Sequence, residues 1–257
     1  MKKIALLLWV LMVTSSCSQK KEKWIFILAG QSNMAGRGLV EPQDTISDSS
    51  IFMLNKEMEL VRAKEPLHYY EPNLMGLDCG LSFAKELRSN LSSNIEIVLV
   101  PCAVGGSSIN QWLNDSSHRN VKLYSNFKQR VTYAKTVGTV KGILWHQGES
   151  DAHPKKLPLY ENELEKLFKN FRTDVGNEKL PIIMGELGDY VEPEEKNRNW
   201  KSLNNILHKI SEKDDYLFLI TSKGLESNPD KVHFNSEAQR ELGKRFATQY
   251  LKIIEEN

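Results

Sequence analysis

Phe26-Ile27-Leu28-Ala29-Gly30-Gln31-Ser32-Asn33-Met34-Ala35-Gly36 decides how the rest of this chain is read. The apolar run over 26–29 favours a strand. Gly30-Gln31-Ser32-Asn33-Met34 then turns the chain, with a serine at its tip. A serine so placed can expose its hydroxyl and leave its backbone N–H free. Both suit a nucleophile that attacks a carbonyl and then stabilises the oxyanion. Ser is also a common helix N-cap, and the stretch alone leaves both roles open. It is not a Gly-x-Ser-x-Gly elbow: Gly30 fits, but Met34 stands at the second glycine, and the serine precedes most of the chain. That argues against an α/β-hydrolase.

Outward from this stretch, apolar strand patterns alternate with helical ones. Strands are predicted over 24–29, 95–100, 140–145, 180–184 and 216–220. Helices are predicted over 81–91, 124–137, 160–171, 195–210 and 236–254. A short strand at 51–54 falls inside a long irregular excursion over 39–78. Alternation of this kind calls for right-handed crossovers and a mainly parallel sheet covered on both faces, a three-layer α/β/α sandwich. Residues 24–257 read as one domain, without repeats, low-complexity segments or a linker. In such folds the reactive loops gather at the C-terminal ends of the strands.

Composition narrows the function classes. The chain has 257 residues, 40% hydrophobic and 26% charged, with a formal net charge of +1. That is ordinary for a globular protein and gives no reason to expect nucleic acid or substrate capture by bulk charge.

Polar and Gly-rich loops follow successive strands at the same end. After the second long strand comes Cys102-Ala103-Val104-Gly105-Gly106-Ser107-Ser108. After the third comes His146-Gln147-Gly148-Glu149-Ser150-Asp151. After the last comes Asn228-Pro229-Asp230-Lys231-Val232-His233-Phe234-Asn235. Asp230 and His233 are three residues apart, so a turn puts them on one side. The carboxylate can then orient Nδ1–H and leave Nε2 to take a proton from a serine. A helix start capped by Asn235 or Ser236 accounts for the same residues without catalysis. Gly105 or Gly106 can present an N–H to an oxyanion, or simply make a tight turn. Gln147 can donate its amide to the same oxyanion, or bond to backbone. Glu149 and Asp151 offer a second acidic group, or helix caps. His146 points to the opposite face of its strand and is set aside.

Together these blocks resemble the SGNH (GDSL-like) hydrolase superfamily. More narrowly they resemble its sialate O-acetylesterase-like branch, which includes the acetyl xylan esterases of carbohydrate esterase family 6. The matching blocks are Gly30 to Met34, Gly105-Gly106 followed by Trp112, Trp145-His146-Gln147-Gly148-Glu149, and Asp230 to His233, in the family's order. The resemblance implies a flavodoxin-like SGNH fold. It implies a serine esterase that removes O-acetyl groups from xylan, another hemicellulose or sialic acid through an acetyl-Ser32 intermediate. By the same resemblance Ser32 is the nucleophile, His233 the base and Asp230 the orienting acid. The oxyanion hole is the Ser32 N–H, a glycine N–H (Gly106 ahead of Gly105) and Gln147. Glu149 is an alternative or additional acid. The chemistry calls for neither metal nor cofactor. Trp112 could stack on a sugar ring or be a core residue. Two other readings stand beside this one: a non-catalytic glycan-binding lipoprotein on the same fold, and a broad-specificity carboxylesterase.

The N-terminus reads separately. Met1-Lys2-Lys3 and an apolar run over 4–13 fit a signal peptide. Thr14-Ser15-Ser16-Cys17 resembles a bacterial lipoprotein signal, with Thr14 where Leu is usual; Cys17 would carry the lipid and anchor an exported protein to a membrane. Ordinary secretory cleavage is the alternative. Residues 18–23 read as a polar tether. Cys79 and Cys102 could form a disulfide in an oxidising compartment, or stay as separate buried thiols.

Overall fold

The computed structural model of the protein describes residues 21–256; the predicted signal peptide and Cys17 lie outside them. In chain order the strands are β1 (Glu22–Gly30), β2 (Ile51–Leu54), β3 (Leu60–Arg62), β4 (Ile95–Pro101), β5 (Ser117–His118), β6 (Val121–Lys122), β7 (Thr139–His146), β8 (Ile182–Gly185) and β9 (Leu217–Ile220). The helices are α1 (Ser32–Ala35), α2 (Gly80–Ser89), α3 (Ile109–Leu113), α4 (Leu123–Val137), α5 (Leu157–Val175), α6 (Glu194–Ser211) and α7 (Ser236–Glu255).

Seven strands form one sheet in the order β3-β2-β4-β1-β7-β8-β9. All its pairings are parallel except β2 with β3. Without the added β2–β3 edge, the order β4-β1-β7-β8-β9 is the flavodoxin-like 2-1-3-4-5. Its ligand crevice lies outside the C-terminal ends of β1 and β7, where the strand order reverses. Every residue of β4 is buried, as a strand covered on both faces requires.

Alternate residues of β1 serve opposite faces. Ile25, Ile27 and Ala29 pack with Trp112, Phe127, Phe171 and Trp200 from α3, α4, α5 and α6. Phe26 and Leu28 pack with Phe83 and Phe246 from α2 and α7. The α5 face is set by helical spacing: Tyr160, Leu164, Leu167, Phe168 and Phe171 are all buried. The three-layer expectation therefore holds. The elements missed are short: α1, α3, the β5–β6 hairpin and the edge strand β3.

One expectation is corrected here, and the open choice for Cys79 and Cys102 falls to separate buried thiols. The tether over 18–23 does not extend to Lys23, because β1 begins at Glu22. Glu22 pairs with Ile95 in the sheet, and Lys23 makes an ion pair with Glu96 at 3.1 Å. Cys79 and Cys102 are free thiols, buried in the cores on opposite faces of the sheet. Burial pushes both thiols up, Cys102 to about 12, which makes them unreactive.

Candidate active site

Gly30 ends β1 with φ 139°, a backbone that L side chains rarely adopt; a Cβ there would lie 2.0 Å from the His146 carbonyl oxygen of neighbouring β7. The chain then turns at Gln31 into the single-turn α1, with Ser32 at its first position. The backbone N–H groups of Met34 and Ala35 bond to the Gln31 carbonyl. The Ser32 N–H has no acceptor among the described residues.

His233 Nε2 lies 2.9 Å from Ser32 Oγ, and its Nδ1 lies 2.7 Å from Asp230 Oδ2. Asp230 also accepts the backbone N–H groups of Val232 and His233, at 2.9 and 3.0 Å. Burial alone would raise the Asp230 pKa. The His233 backbone and ring hydrogen bonds and the Val232 N–H outweigh it and hold the carboxyl below its ordinary value. Asp230 is about half exposed, so solvent screens its charge. A carboxylate bonded on both oxygens can still orient the imidazole and leave Nε2 facing the hydroxyl.

Asn33 fastens this turn to its surroundings. Its Nδ2 donates to Glu149 Oε1 at 2.6 Å and to the Val232 carbonyl at 3.2 Å. Its Oδ1 accepts the Phe234 N–H at 3.0 Å. Asn33 thus grips the chain on both sides of His233. Glu149 serves Asn33 rather than the histidine, whose two ring nitrogens already have Asp230 and Ser32. The additional-acid expectation for Glu149 is therefore corrected. His146, as expected, faces away; it is fully buried and donates from Nε2 to the Glu186 carbonyl. Burial, against the pull of Glu149 and that bond, holds its pKa below the ordinary value.

Gln147 is also corrected. Its side chain is fully buried, and Nε2 already donates to Asp151 Oδ2 (2.6 Å), the Ser107 carbonyl (3.1 Å) and Gln31 Oε1 (3.2 Å). Two amide hydrogens among three acceptors leave none for a substrate. Its Oε1 accepts from the Tyr160 hydroxyl at 2.9 Å. The free amide at the site is that of Gln31. Its oxygen accepts from Gln147 and from the Ser150 N–H, which turns the NH2 the other way; that nitrogen has no acceptor among the described residues.

Of the two glycines, Gly105 spends its N–H on Glu71 Oε2 at 2.6 Å. Gly106, at φ 76°, is exposed and its N–H has no acceptor among the described residues. Trp112 is wholly buried, donates to Ser107 Oγ at 3.0 Å and packs edge-on against Trp145 and Phe171. It is a core residue and cannot stack on a sugar.

These groups open into a cleft of about 450 Å³ lined by Gln31, Ser32, Gly106, Glu149, Lys196 and His233, with Arg37 and Arg119 at its wall. That is within the usual range of about 300–1,000 Å³ for small-ligand sites. A depression of similar size beside α7 holds charged side chains but no serine–histidine pair. Among the described residues no cluster of His, Cys, Asp and Glu could hold a metal, and no helix is long and apolar enough to cross a membrane.

With this geometry in view, residues 22–252 match the sequence profile of the carbohydrate esterases described as sialic acid-specific acetylesterase. The chain belongs to that family. It is 32% identical to a protein of Arabidopsis thaliana named "probable carbohydrate esterase", over 88% of this chain and 90% of the other. The crystal structure of the Arabidopsis protein superposes with a TM-score of 0.76 over 89% of this chain and 98% of that one, at 31% identity. NanS shares the fold with a TM-score of 0.72 at 17% identity, over 93% and 99% of the two chains. As a member of this family the protein is a carbohydrate esterase, a carboxylic ester hydrolase.

Proposed function

We propose that the protein is a serine O-acetylesterase that works through an acetyl-Ser32 intermediate. The observation that carries this is the unbroken relay from Asp230 through His233 to Ser32, with contacts of 2.7 and 2.9 Å, opening into a sugar-sized cleft. His233 Nε2 takes the Ser32 proton as Oγ bonds to the acetyl carbon. The carbonyl oxygen becomes an oxyanion, received by the free N–H groups of Ser32 and Gly106 and by Gln31 Nε2. His233 passes its proton to the sugar oxygen as the C–O bond breaks. A water deprotonated by His233 then attacks acetyl-Ser32, releasing acetate and restoring the Ser32 hydroxyl. A non-catalytic glycan binder would have no use for a serine hydroxyl bonded to an oriented histidine beside free backbone donors.

The substrate proposed is an O-acetylated hemicellulose, xylan among them, or an O-acetylated sialic acid. Arg37, Arg119 and Lys196 line the cleft beside Glu149 and Asp230, and the buried Glu71 behind the lining pairs with both arginines, so these formal charges cancel. Selection then rests on hydroxyl and acetyl contacts rather than net charge. Acetate release from acetylated xylan, mannan, sialic acid and peptidoglycan fragments, beside longer acyl esters, tests this. Release from one acetylated sugar above the rest is the expected result. Equal or faster turnover of long acyl esters would point to a broad carboxylesterase. We further propose export and anchoring through a lipid on Cys17, supported by the leader pattern. Palmitate labelling that is lost in C17S is the expected outcome; unlabelled, freely secreted protein would contradict it.

A further inference from the structure

Gly105 is held at both of its backbone polar groups by side chains that the reaction described above does not use. Glu71 takes its N–H at 2.6 Å. His118 Nε2 lies 2.9 Å from its carbonyl oxygen. The Glu71 carboxylate is itself fixed: Arg37 Nη2 reaches both oxygens at 2.8 Å, and Arg119 Nη1 bonds to Oε1. A Cβ on Gly105 would lie 2.2 Å from Arg37 and 2.6 Å from Glu71, so only glycine fits between them.

The other side is equally determined. Ser108 caps α3, and its N–H donates to Gln111 Oε1 at 2.8 Å. That fixes the Gln111 amide and turns its Nε2 toward His118 Nδ1, 3.3 Å away. Nδ1 is therefore an acceptor, Nε2 carries the hydrogen, and the ring donates to the Gly105 carbonyl. The β5–β6 hairpin presents His118 and Arg119 together. Its two turn residues, Arg119 and Asn120, have φ of 49° and 63°, as a two-residue hairpin turn requires.

A trans peptide is planar, and its N–H points opposite to its C=O. Fixing the Gly105 carbonyl on His118 therefore fixes the Gly106 N–H in the reverse direction. We propose that His118 and Glu71 are positioning residues that hold the Gly105–Gly106 peptide with the Gly106 N–H turned to receive the oxyanion. This rests on the ester-hydrolase reading of Ser32. If the peptide were free to rotate, its carbonyl could face the cleft and repel the developing negative charge.

The test compares wild type, H118F and H118Q on p-nitrophenyl acetate, with S32A as blank. Phe keeps the ring without the donor; Gln restores a donor. H118F should lose about 10–100-fold in kcat with KM within about twofold, since misplacement of a catalytic donor by an ångström costs up to about that much. H118Q should recover most of the loss. Affinity for a boronic acid, which becomes tetrahedral on Ser32, should weaken in H118F alongside kcat. H118L repeats the comparison should H118F not fold. An active wild type with unchanged kcat and boronate affinity in H118F overturns the proposal alone. Equal losses in H118F and H118Q also overturn it, by reducing His118 to packing. A wild type no faster than S32A overturns the underlying esterase reading instead.

Discussion

Two loops line the same cleft and are secured in opposite ways. The His233 loop is built from close neighbours: one carboxylate, Asp230, accepts from residues two and three positions on and orients the ring. The Gly105–Gly106 loop is held by residues 34 positions before it and 13 after it, on segments that meet only through the fold. In the proposed reaction the base is thus prepared locally, in a half-open turn, while the Gly106 donor is prepared by long-range contacts. Chemistry at the first should fail through protonation and orientation. Chemistry at the second should fail through geometry.

The largest separation is expected at the relay itself. Ser32→Ala or His233→Ala should lower kcat by about 10⁴–10⁶-fold without loss of thermal stability. D230N should cost about 10²–10⁴-fold, toward the lower end, because the half-exposed carboxylate contributes orientation more than charge. Steady-state kinetics beside thermal melts separate both from unfolding. Trp112→Ala should instead reduce stability by about 3–5 kcal/mol in denaturant unfolding and leave KM for sugar substrates unmoved; a KM effect with stability intact would restore a sugar-stacking role.

Gln31→Ala should lower kcat by about 10²–10³-fold, as loss of an oxyanion donor does. Gln147→Leu should act mainly by destabilising the fold, since it breaks buried hydrogen bonds to Asp151, Ser107 and Tyr160. A Q147L variant of normal stability with the larger kcat loss would return the donor role to Gln147.

The smallest effect concerns pH. Burial alone would raise the Glu71 pKa, but Arg37, the Gly105 N–H and Arg119 hold it below its ordinary 4.5. A depressed pKa adds stability above the unfolded value, and that stability is lost as pH falls through the folded value. The Tm difference between wild type and E71Q should be greatest above pH 4.5 and shrink below it. A difference that grows with acidity would contradict the clamp.

The same contrast explains what could be read without coordinates. The sheet was legible because strands such as β1 and β4 carry uninterrupted apolar runs and helices such as α5 repeat apolar residues at helical spacing. Asp230 and His233 were legible because their contact is local. Gln147 was misread because its position after β7 is right for a donor. Only the packing of Asp151, Ser107 and Tyr160 around it shows that its hydrogens are spent. Glu71 and His118 left no mark: one lies in an irregular excursion, the other in a two-residue strand, and neither spacing signals a partner. Asn33 stood inside the opening block, but its grip on Val232 and Phe234 spans some 200 residues.

In the proposed reaction Ser32, activated by His233, is the nucleophile. Intact-protein and peptide mass spectrometry after treatment with a fluorophosphonate tests it most directly. One adduct per chain, on the peptide carrying Ser32, abolished in S32A and strongly slowed in H233A, is the predicted result. An unmodified protein, or an adduct on another serine that persists in S32A, would contradict it.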